Sequence, residues 1–440
     1  MKRVLVLGAG LVSRPLVSYL TGFPDIALTL CDLDGAKAAK VLGGAARGRA
    51  LALPLDDDAE LAGLVGEADL VVSLLPYTLH VKVAKVAIAR RVPLITTSYV
   101  SAEMRALDGA ARDAGVLVLN EIGLDPGLDH MSAMHAIAQL RAEGLRLVSF
   151  RSCCGGLPAP ESNTNPWGYK FSWSPRGVLA AGLNASRWLE DGRVIELPGE
   201  KLFTHVAPYD VAGVGRLEVY PNRDATTYVP VYGIEGVHTM FRGTLRYPGW
   251  CETLHAVSRL GLLDGTERGW RACTTYEEFM ESVAAPGTGP VAERVAKRVA
   301  VPADGAVMER LRFAGLFSEA PIGTTRAAPI DLLCARLAET MAYAKNERDM
   351  IVLRHEFGVV DAADRPGTLV STLVAFGEPT GDSAMARTVS LPAAVAARLI
   401  LDGRIGLIGV RIPVDPEIYG PVLSALEPMG IVFRETRTAP

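Results

Sequence analysis

Short apolar runs alternate with amphipathic stretches along the first 125 residues of the chain. Near-continuous apolar runs are typical of strands buried on both faces of a parallel sheet, and the amphipathic stretches between them predict the covering helices. The predicted strands are Val4–Leu7, Ile26–Leu30, Leu51–Leu55, Leu70–Leu75, Pro93–Thr96 and Val116–Leu119. The predicted helices are Leu11–Thr21, Ala36–Leu42, Ala59–Val65, Val81–Arg90 and Glu103–Ala114. This alternation predicts an α/β fold built on a Rossmann-like, doubly wound parallel sheet.

The pattern changes after about residue 125. A helix is predicted at Leu128–Arg141 and a strand at Arg146–Cys153. They are followed by Gly155–Gly177, which is rich in glycine, proline, asparagine and aromatic residues. A stretch of that length without helix or strand signals is typical of a functional loop. The remaining predicted elements are a helical region at 252–316, a helix at Asp331–Tyr343, strands at Ile351–Val360 and Thr368–Phe376, and a closing helix at Pro392–Leu401.

Composition excludes several classes of partner. Of the 440 residues, 49% are hydrophobic and 21% charged, so the chain can bury large cores in two or three domains. The formal net charge of −4 provides no basic field, so neither nucleic acid nor a membrane is expected as a partner. No apolar run approaches the roughly 18 residues that span a membrane. The six cysteines lack any CxxC pair, so we expect no metal site and a reduced, cytoplasmic location.

A glycine-rich turn follows the first predicted strand and opens the first predicted helix. Gly8 permits the tight turn, Gly10 lets a pyrophosphate approach the backbone, and Ser13 is small enough for close packing of helix against strand. With Leu11 and Val12, these residues form the predicted dinucleotide-binding loop. It lies at a helix N-terminus, where free N–H groups favour an anion.

Asp32 stands at the end of the second predicted strand, about 20 residues beyond Ser13. A carboxylate at this place accepts hydrogen bonds from ribose hydroxyls and repels a 2′-phosphate. Asp32 therefore predicts NAD as the cofactor, with NADP as the less favoured alternative. Asp32 could instead cap the helix that follows, although Asp34 is also placed to do so.

Further candidate residues end or follow the other predicted strands. Ligands in open α/β sheets bind beyond the carboxyl ends of the strands, so these positions are candidates for the site. They are Asp56 after the third strand, Leu74, Leu75 and Pro76 at the fourth, Ser98 and Tyr99 after the fifth, and Leu124 and Asp125 after the sixth.

Several longer segments are specific enough to indicate a family. They are LPYT at Leu75–Thr78, NEIGLDPGLDH at Asn120–His130, CGGLPAPE at Cys154–Glu161, NPWGYKFSWSPR at Asn165–Arg176, PNRD at Pro221–Asp224, RGTLRY at Arg242–Tyr247 and NERDM at Asn346–Met350. From the glycine loop to Gly403, the chain resembles the glutamate-forming saccharopine dehydrogenases (saccharopine reductases) of lysine metabolism. It departs from the fungal, NADP-using members, which look basic where this chain has Asp32.

The resemblance implies a fold of three parts, in agreement with the compositional zones. A Rossmann-like domain would comprise residues 1–125 and be completed by about 390–440. A mixed α/β substrate-binding domain would comprise 126–251 with about 345–389. A mainly helical subdomain would comprise 252–344. A homodimer is also expected for this family.

The implied reaction converts L-saccharopine, NAD(P) and water to L-glutamate, L-2-aminoadipate 6-semialdehyde and NAD(P)H. Saccharopine carries three carboxylates, and the planar fork of arginine suits carboxylates. The resemblance assigns Arg223 and Arg246 to these carboxylates. It places Ser98, Tyr99, Asp125, Cys154, Thr244 and Leu245 near substrate or cofactor, and Leu74, Leu75, Pro76, Leu124 and Ser174 along the cofactor.

Hydride transfer and imine hydrolysis require proton transfers at the substrate amine and at water. Asp125 is the candidate for orienting the amine or relaying its proton, and Tyr99 and Cys154 are candidates for the hydrolytic step. Cys154 could also be a small core residue. Two alternative functions remain open: a related secondary-amine dehydrogenase such as carboxynorspermidine dehydrogenase, and a dinucleotide-sensing regulator without turnover.

Overall fold

The computed structural model describes residues 1–270 and 273–439, which fall into two compact units. The first unit comprises Met1–Arg146, Val360–Arg365 and Ser371–Thr436, and the second is built mainly from Leu147–Val359 and Pro366–Val370. The boundaries of the three predicted domains stay a prediction.

The strands and helices are numbered in chain order. The strands are β1 (Lys2–Leu7), β2 (Ile26–Asp32), β3 (Gly48–Ala52), β4 (Leu70–Ser73), β5 (Leu94–Thr96), β6 (Leu117–Leu119), β7 (Arg146–Pro158), β8 (Ser186–Glu190), β9 (Arg193–Leu197), β10 (Ala207–Val211), β11 (Gly215–Pro221), β12 (Thr239–Arg246), β13 (Arg268–Gly269), β14 (Arg326–Ala327), β15 (Asp349–Val360), β16 (Pro366–Phe376), β17 (Gly409–Arg411) and β18 (Arg434–Thr438). The helices are α1 (Ser13–Thr21), α2 (Gly35–Leu42), α3 (Asp58–Glu67), α4 (His80–Arg90), α5 (Ala102–Arg105), α6 (Asp108–Asp113), α7 (Leu128–Ala142), α8 (Pro175–Ala181), α9 (Tyr228–Tyr232), α10 (Trp250–Arg259), α11 (Tyr276–Ser282), α12 (Val291–Val299), α13 (Ala306–Phe313), α14 (Pro329–Thr340), α15 (Ala384–Leu401) and α16 (Pro416–Leu426).

The first unit contains a seven-stranded parallel sheet in the order β17-β6-β5-β4-β1-β2-β3. The strand order reverses at β1, which pairs with both β2 and β4. A crevice for a ligand opens at such a reversal, beyond the carboxyl ends of the strands. The predicted Rossmann-like fold class is confirmed. β17, from the C-terminal part of the chain, forms one edge of this sheet.

Several elements of the first unit differ from the sequence prediction, including β17, α16 and β18, which were not predicted, and three of the differences have a local cause. β3 ends at Ala52 instead of reaching Leu55, because Pro54 has no N–H group to continue the ladder. The helix predicted at Glu103–Ala114 is two short helices, α5 and α6. Between them the Leu107 N–H bonds the Met104 carbonyl oxygen, three residues back, which tightens the turn.

The third difference is α15, which begins at Ala384 instead of Pro392. The Ser383 hydroxyl accepts a hydrogen bond from the Ala386 N–H at 3.0 Å and caps the earlier start. This 18-residue helix has a mean hydropathy of 1.4, and among the described residues it passes the length and composition test for a membrane span. Because 72% of it is buried within the structure, and core helices pass the same test, it is weak evidence for a span.

The second unit is built around a mixed sheet in which β10, β11, β12, β7 and β15 are neighbours in that order. β12 pairs parallel with β7 and antiparallel with β11 and β8. The hydrophobic pattern predicts no strands between residues 186 and 246. These strands share no burial pattern: β9 has no buried position, whereas β12 is buried along almost its whole length.

The long loop predicted at Gly155–Gly177 is shorter in the structure. β7 continues to Pro158 and α8 begins at Pro175, so the loop spans residues 159–174. Its aromatic residues Trp167 and Tyr169 are buried in an apolar cluster that also contains Trp250 and side chains from α10 to α14. The loop is therefore held by tertiary packing, although it has little regular structure of its own.

Candidate active site

The glycine loop between β1 and α1 has the geometry of a dinucleotide-binding turn. Gly8 has φ +104°, and a Cβ there would lie 2.8 Å from the Leu74 carbonyl oxygen. A Cβ on Gly10 would meet nothing within 4 Å among the described residues, so space is open where a pyrophosphate would approach. Ser13 is buried, and its hydroxyl donates to the Gly10 carbonyl oxygen at 2.8 Å. The loop fits a dinucleotide at the N-terminus of α1.

Asp32 is engaged by its own surroundings. Its carboxylate accepts hydrogen bonds from the backbone N–H groups of Ala9 at 2.8 Å and Asp34 at 3.2 Å, and Lys37 Nζ lies 3.7 Å away. Burial alone would raise the pKa of Asp32, but these N–H groups and Lys37 lower it below its usual value. Asp34, and not Asp32, caps α2 by accepting the N–H groups of Ala36 and Lys37.

The other residues predicted to line the cofactor lie beyond the ends of the strands. Leu74 follows β4 and donates its N–H to the Leu7 carbonyl oxygen at 2.8 Å. Leu75 is half-buried, Pro76 is exposed, and Asp56 lies in an exposed turn after β3. Leu11, in the glycine loop, is 70% exposed, whereas Leu124, which follows β6, is buried.

Ser98 belongs to a hydrogen-bond network centred on His80. His80 Nε2 lies 2.8 Å from Ser98 Oγ and 3.1 Å from Thr96 Oγ1, and His80 Nδ1 lies 2.9 Å from Ser73 Oγ. The imidazole is buried, and burial lowers its pKa from 6.5 to about 4. His80 is therefore neutral at physiological pH, with one nitrogen donating and the other accepting.

Tyr99 and Asp125 are brought together by the ends of β5 and β6. The Tyr99 hydroxyl donates to Asp125 Oδ1 at 2.9 Å. Beside them, Glu121 accepts the Val100 N–H at 2.8 Å and lies 2.8 Å from His130 Nε2. Both Glu121 and His130 are buried, so this pair fixes the segment that carries Asp125.

The second unit contains a buried arginine at the end of β12. Arg246 is only 5% exposed, and its Nη1 donates to the Leu245 carbonyl oxygen at 2.7 Å. Within residues 1–270 and 273–439, its Nε has no hydrogen-bond partner. The neighbouring phenols of Tyr169 and Tyr220 are neutral, because burial raises their pKa values, that of Tyr220 to about 12. A buried guanidinium in such surroundings is suited to an anionic ligand.

The sheet register places three predicted substrate residues around Arg246. Thr244 stands opposite Cys154 across β12 and β7, and opposite Tyr220 across β12 and β11. Cys154 and Leu245 are buried. Arg223, by contrast, is exposed, with φ +54°, and its carbonyl oxygen accepts the Arg187 N–H at 2.9 Å.

Ser174, predicted to line the cofactor, caps α8: its hydroxyl accepts the Gly177 N–H at 3.2 Å. Six of the predicted site residues are in the second unit, and the others are in the first: the six are Cys154, Ser174, Arg223, Thr244, Leu245 and Arg246. Their assignments to ligands stay predictions.

Two family models match the chain. The model described as "Saccharopine dehydrogenase NADP binding domain" matches residues 4–119, and "Saccharopine dehydrogenase C-terminal domain" matches residues 123–431. The chain belongs to the saccharopine dehydrogenase family.

Relatives in this family match from end to end. Saccharopine dehydrogenase (NADP(+), L-glutamate-forming) of Schizosaccharomyces pombe is 38% identical over 445 residues, covering 99% of each chain. The Saccharomyces cerevisiae enzyme of that name is 39% identical over 448 residues, covering 100% of each. The mitochondrial alpha-aminoadipic semialdehyde synthase of Bos taurus is 38% identical, with 48% of its length covered. The apo structure of saccharopine dehydrogenase (L-Glu forming) from S. cerevisiae superposes with a TM-score of 0.89 at 37% identity, covering 100% of each chain.

The prediction of NAD as cofactor is wrong. The saccharopine dehydrogenase family model of the first unit is an NADP-binding domain, and the fungal relatives are named for NADP(+). The prediction relied on repulsion between Asp32 and a 2′-phosphate. Two N–H groups and Lys37 already balance that carboxylate within the chain, so its charge does not by itself exclude the phosphate.

His80, Tyr169 and Trp250, the last with its ring centre 5.5 Å from the Arg246 guanidinium carbon, were not among the predicted site residues. Tyr169 lies in the aromatic segment quoted for the family resemblance, and this clustering of rings in a loop was the available signal. Nothing local in the sequence marked His80 or Trp250. The cytoplasmic location and the homodimer stay predictions.

Proposed function

We propose that this chain is a saccharopine dehydrogenase that converts L-saccharopine, NADP and water to L-glutamate, L-2-aminoadipate 6-semialdehyde and NADPH. The observation that carries the proposal is the buried Arg246, whose Nε lacks a partner in the described part of the chain. A substrate with three carboxylates supplies the anion that this guanidinium needs. The end-to-end similarity to glutamate-forming enzymes favours this function over both alternatives.

NADP, when bound, accepts the hydride that leaves the substrate carbon next to the amine. The glycine loop would hold its pyrophosphate at the N-terminus of α1, where Gly10 leaves space for the approach. Lys37, half-exposed beside Asp32, is the cation proposed to face the 2′-phosphate.

In this proposal, residues of the chain accept and relay the protons that the reaction moves. The amine must lose its proton before hydride can leave, and Asp125 is the proposed acceptor or relay. The Tyr99 hydroxyl, which donates to Asp125 Oδ1, fixes the orientation of that carboxylate. Ser98, held by neutral His80, presents a hydroxyl whose direction is set by the imidazole. Cys154 and Tyr99 stay the candidates for the hydrolytic step.

A steady-state assay tests the proposal. Purified protein is given saccharopine with NADP or NAD, NADPH or NADH formation is followed by absorbance, and glutamate is measured separately. We expect saccharopine-dependent reduction with equimolar glutamate, and at least tenfold higher kcat/KM for NADP. Absence of saccharopine-dependent reduction with either nucleotide would refute the proposed activity.

The Asp125→Asn variant tests the proton-transfer role. It keeps the size of the side chain and an acceptor for Tyr99 but removes the basic carboxylate. We expect kcat to fall at least a hundredfold while the Kd of NADP changes less than threefold. Turnover within threefold of wild type would show that Asp125 does not carry the proton.

A further inference from the structure

Three buried donors on side chains that pack together in the second unit lack acceptors in the described part of the chain. They are Arg246 Nε, the Tyr169 hydroxyl and the Trp250 indole N–H, and none donates to an acceptor within residues 1–270 and 273–439. Tyr169 and Trp250 are each 1% exposed. The Arg246 guanidinium carbon lies 5.0 Å from the Tyr169 ring centre and 5.5 Å from that of Trp250, and the two rings are 4.5 Å apart.

Two other tryptophans of the same apolar cluster have acceptors for their indole N–H groups. Trp167 Nε1 donates to the Arg310 carbonyl oxygen at 2.7 Å, and Trp270 Nε1 donates to the Ala327 carbonyl oxygen at 2.8 Å. Burying a donor without an acceptor costs the free energy of its hydration, so proteins rarely do it without a reason. Three such donors within one cluster indicate an acceptor supplied by a ligand.

The chemistry of the donors defines that ligand. Arg246 Nη1 is already used by the Leu245 carbonyl oxygen, so the open edge of the guanidinium is the one that carries Nε. That edge grips a carboxylate with two parallel hydrogen bonds, and a carboxylate has lone pairs for further donors. The Trp173 side chain donates a hydrogen bond towards the Tyr169 oxygen, which lowers the pKa of the phenol. This contact uses the oxygen as an acceptor, so the phenol hydrogen still has no acceptor of its own.

The cluster is rigid before any ligand arrives. Arg310 Nε donates to the Pro166 carbonyl oxygen at 2.8 Å and Nη1 to Thr253 Oγ1 at 3.2 Å, which ties the 159–174 loop and α10 to α13. The faces of Tyr169 and Trp250 hold the guanidinium by cation–π contact. Donors fixed in this way bind an anion without paying the entropy of ordering side chains.

We propose that Tyr169 and Trp250 complete, with Arg246, a three-donor pocket for one carboxylate of the substrate. The inference rests on the proposed function for the identity of that substrate. It assigns binding roles to two aromatic residues that otherwise look like core packing.

The test uses variants that remove one donor and keep an aromatic ring. In Tyr169→Phe and Trp250→Phe, we expect the KM for saccharopine to rise about tenfold, with kcat within threefold and the KM for NADP unchanged. The apo Tm of Tyr169→Phe should stay level or rise, because an unsatisfied buried donor has been removed. Trp270→Phe is the matched control: it orphans the Ala327 carbonyl oxygen, so Tm should fall while the KM for saccharopine stays within twofold. The apo Tm of Trp250→Phe should fall less than that of the control, because both lose the same ring volume but only the control loses a hydrogen bond.

Two outcomes overturn the inference. One is that Tyr169→Phe and Trp250→Phe behave like the control, with lower Tm and an unchanged KM. The other is that the KM values for both substrates rise together, which indicates general disturbance. Either result leaves the proposed function intact if the wild type oxidises saccharopine.

If the wild type does not oxidise saccharopine, the proposed function fails and the pocket is tested alone with glutarate. The pocket is supported if glutarate raises the Tm of the wild type and of Trp270→Phe but not of Tyr169→Phe or Trp250→Phe, with sodium chloride at equal ionic strength as the blank. A shift that is absent in the wild type, or equal in all four proteins, refutes it.

Discussion

His80 should make the first unit unstable in mild acid. The imidazole is buried, lies at the N-terminus of α4, and is hydrogen-bonded by Ser73, Thr96 and Ser98. Burial lowers its pKa from 6.5 to about 4, and the positive end of the helix dipole also disfavours a cation. The folded state therefore keeps His80 neutral at pH values where the unfolded chain binds a proton.

The sign and size follow from linkage. Between pH 6.5 and pH 4 the unfolded state binds more protons at His80 than the folded state does. The stability that neutral His80 contributes is therefore fully present above pH 6.5 and is lost as the pH falls through this window. Each pKa unit corresponds to about 1.4 kcal/mol, and at pH 5 the unfolded imidazole is almost fully charged. The contribution of His80 to the free energy of unfolding should be about 2 kcal/mol smaller at pH 5 than at pH 7.

The assay compares urea unfolding of wild type and His80→Gln at pH 7 and pH 5, followed by circular dichroism. Gln cannot titrate, so the loss of stability between the two pH values should be about 2 kcal/mol smaller in the variant. His135→Gln is the matched control, because His135 is exposed and should leave the pH dependence as in wild type. If His80→Gln does not fold, NMR titration of the His80 ring in wild type gives the same information.

The reasoning is refuted if wild type and His80→Gln lose equal stability on acidification, or if the ring of His80 titrates near pH 6.5. Either result would mean that the network of hydroxyl groups, and not burial, controls the charge of the imidazole. The direction of the Ser98 hydroxyl would then change with pH, and the proposed role of His80 as a neutral orienting group would be wrong.

Three further predictions concern single substitutions. Gly8→Ala places a Cβ at 2.8 Å from the Leu74 carbonyl oxygen at φ +104°, so calorimetry should show NADP binding at least tenfold weaker; equal affinity would exclude the tight turn. Lys37→Gln removes the cation beside Asp32 and should raise the KM for NADP about fivefold without changing that for NAD; a parallel rise in both KM values would contradict the 2′-phosphate contact. Arg246→Met removes a buried charge and should leave Tm level or higher while kcat/KM for saccharopine falls more than a hundredfold; lower Tm with retained turnover would assign Arg246 to stability.

Local sequence patterns were sufficient to predict much of the fold and the nucleotide-binding loop. The apolar runs of β1, β2, β4, β5 and β6 predict strands buried on both faces, because a strand covered on both faces has apolar side chains at nearly every position. The glycine turn could also be predicted from the sequence. Position 8 requires glycine, because its φ is positive and a Cβ would lie too close to the Leu74 carbonyl oxygen. The Tyr99–Asp125 pair follows from topology, because parallel strands deliver their carboxyl ends to one edge.

Other features depended on which distant groups come to lie together. Asp32 predicts NAD only if its charge is unopposed, and that depends on Ala9, Asp34 and Lys37 in three dimensions. Short strands with half-exposed faces, such as β8 and β9, are specified by pairing more than by local pattern. β17 joins the first sheet from the far end of the chain, a contact that no local window contains.

The sequence by itself determined the doubly wound sheet, the dinucleotide loop and the family. The tertiary structure alone decided that Arg246, Tyr169 and Trp250, from a strand, a loop and a helix, share a buried cluster with unused donors. The physical reason is that hydrophobic periodicity is a local property of the chain, whereas the satisfaction of a polar group depends on the neighbours that folding brings to it.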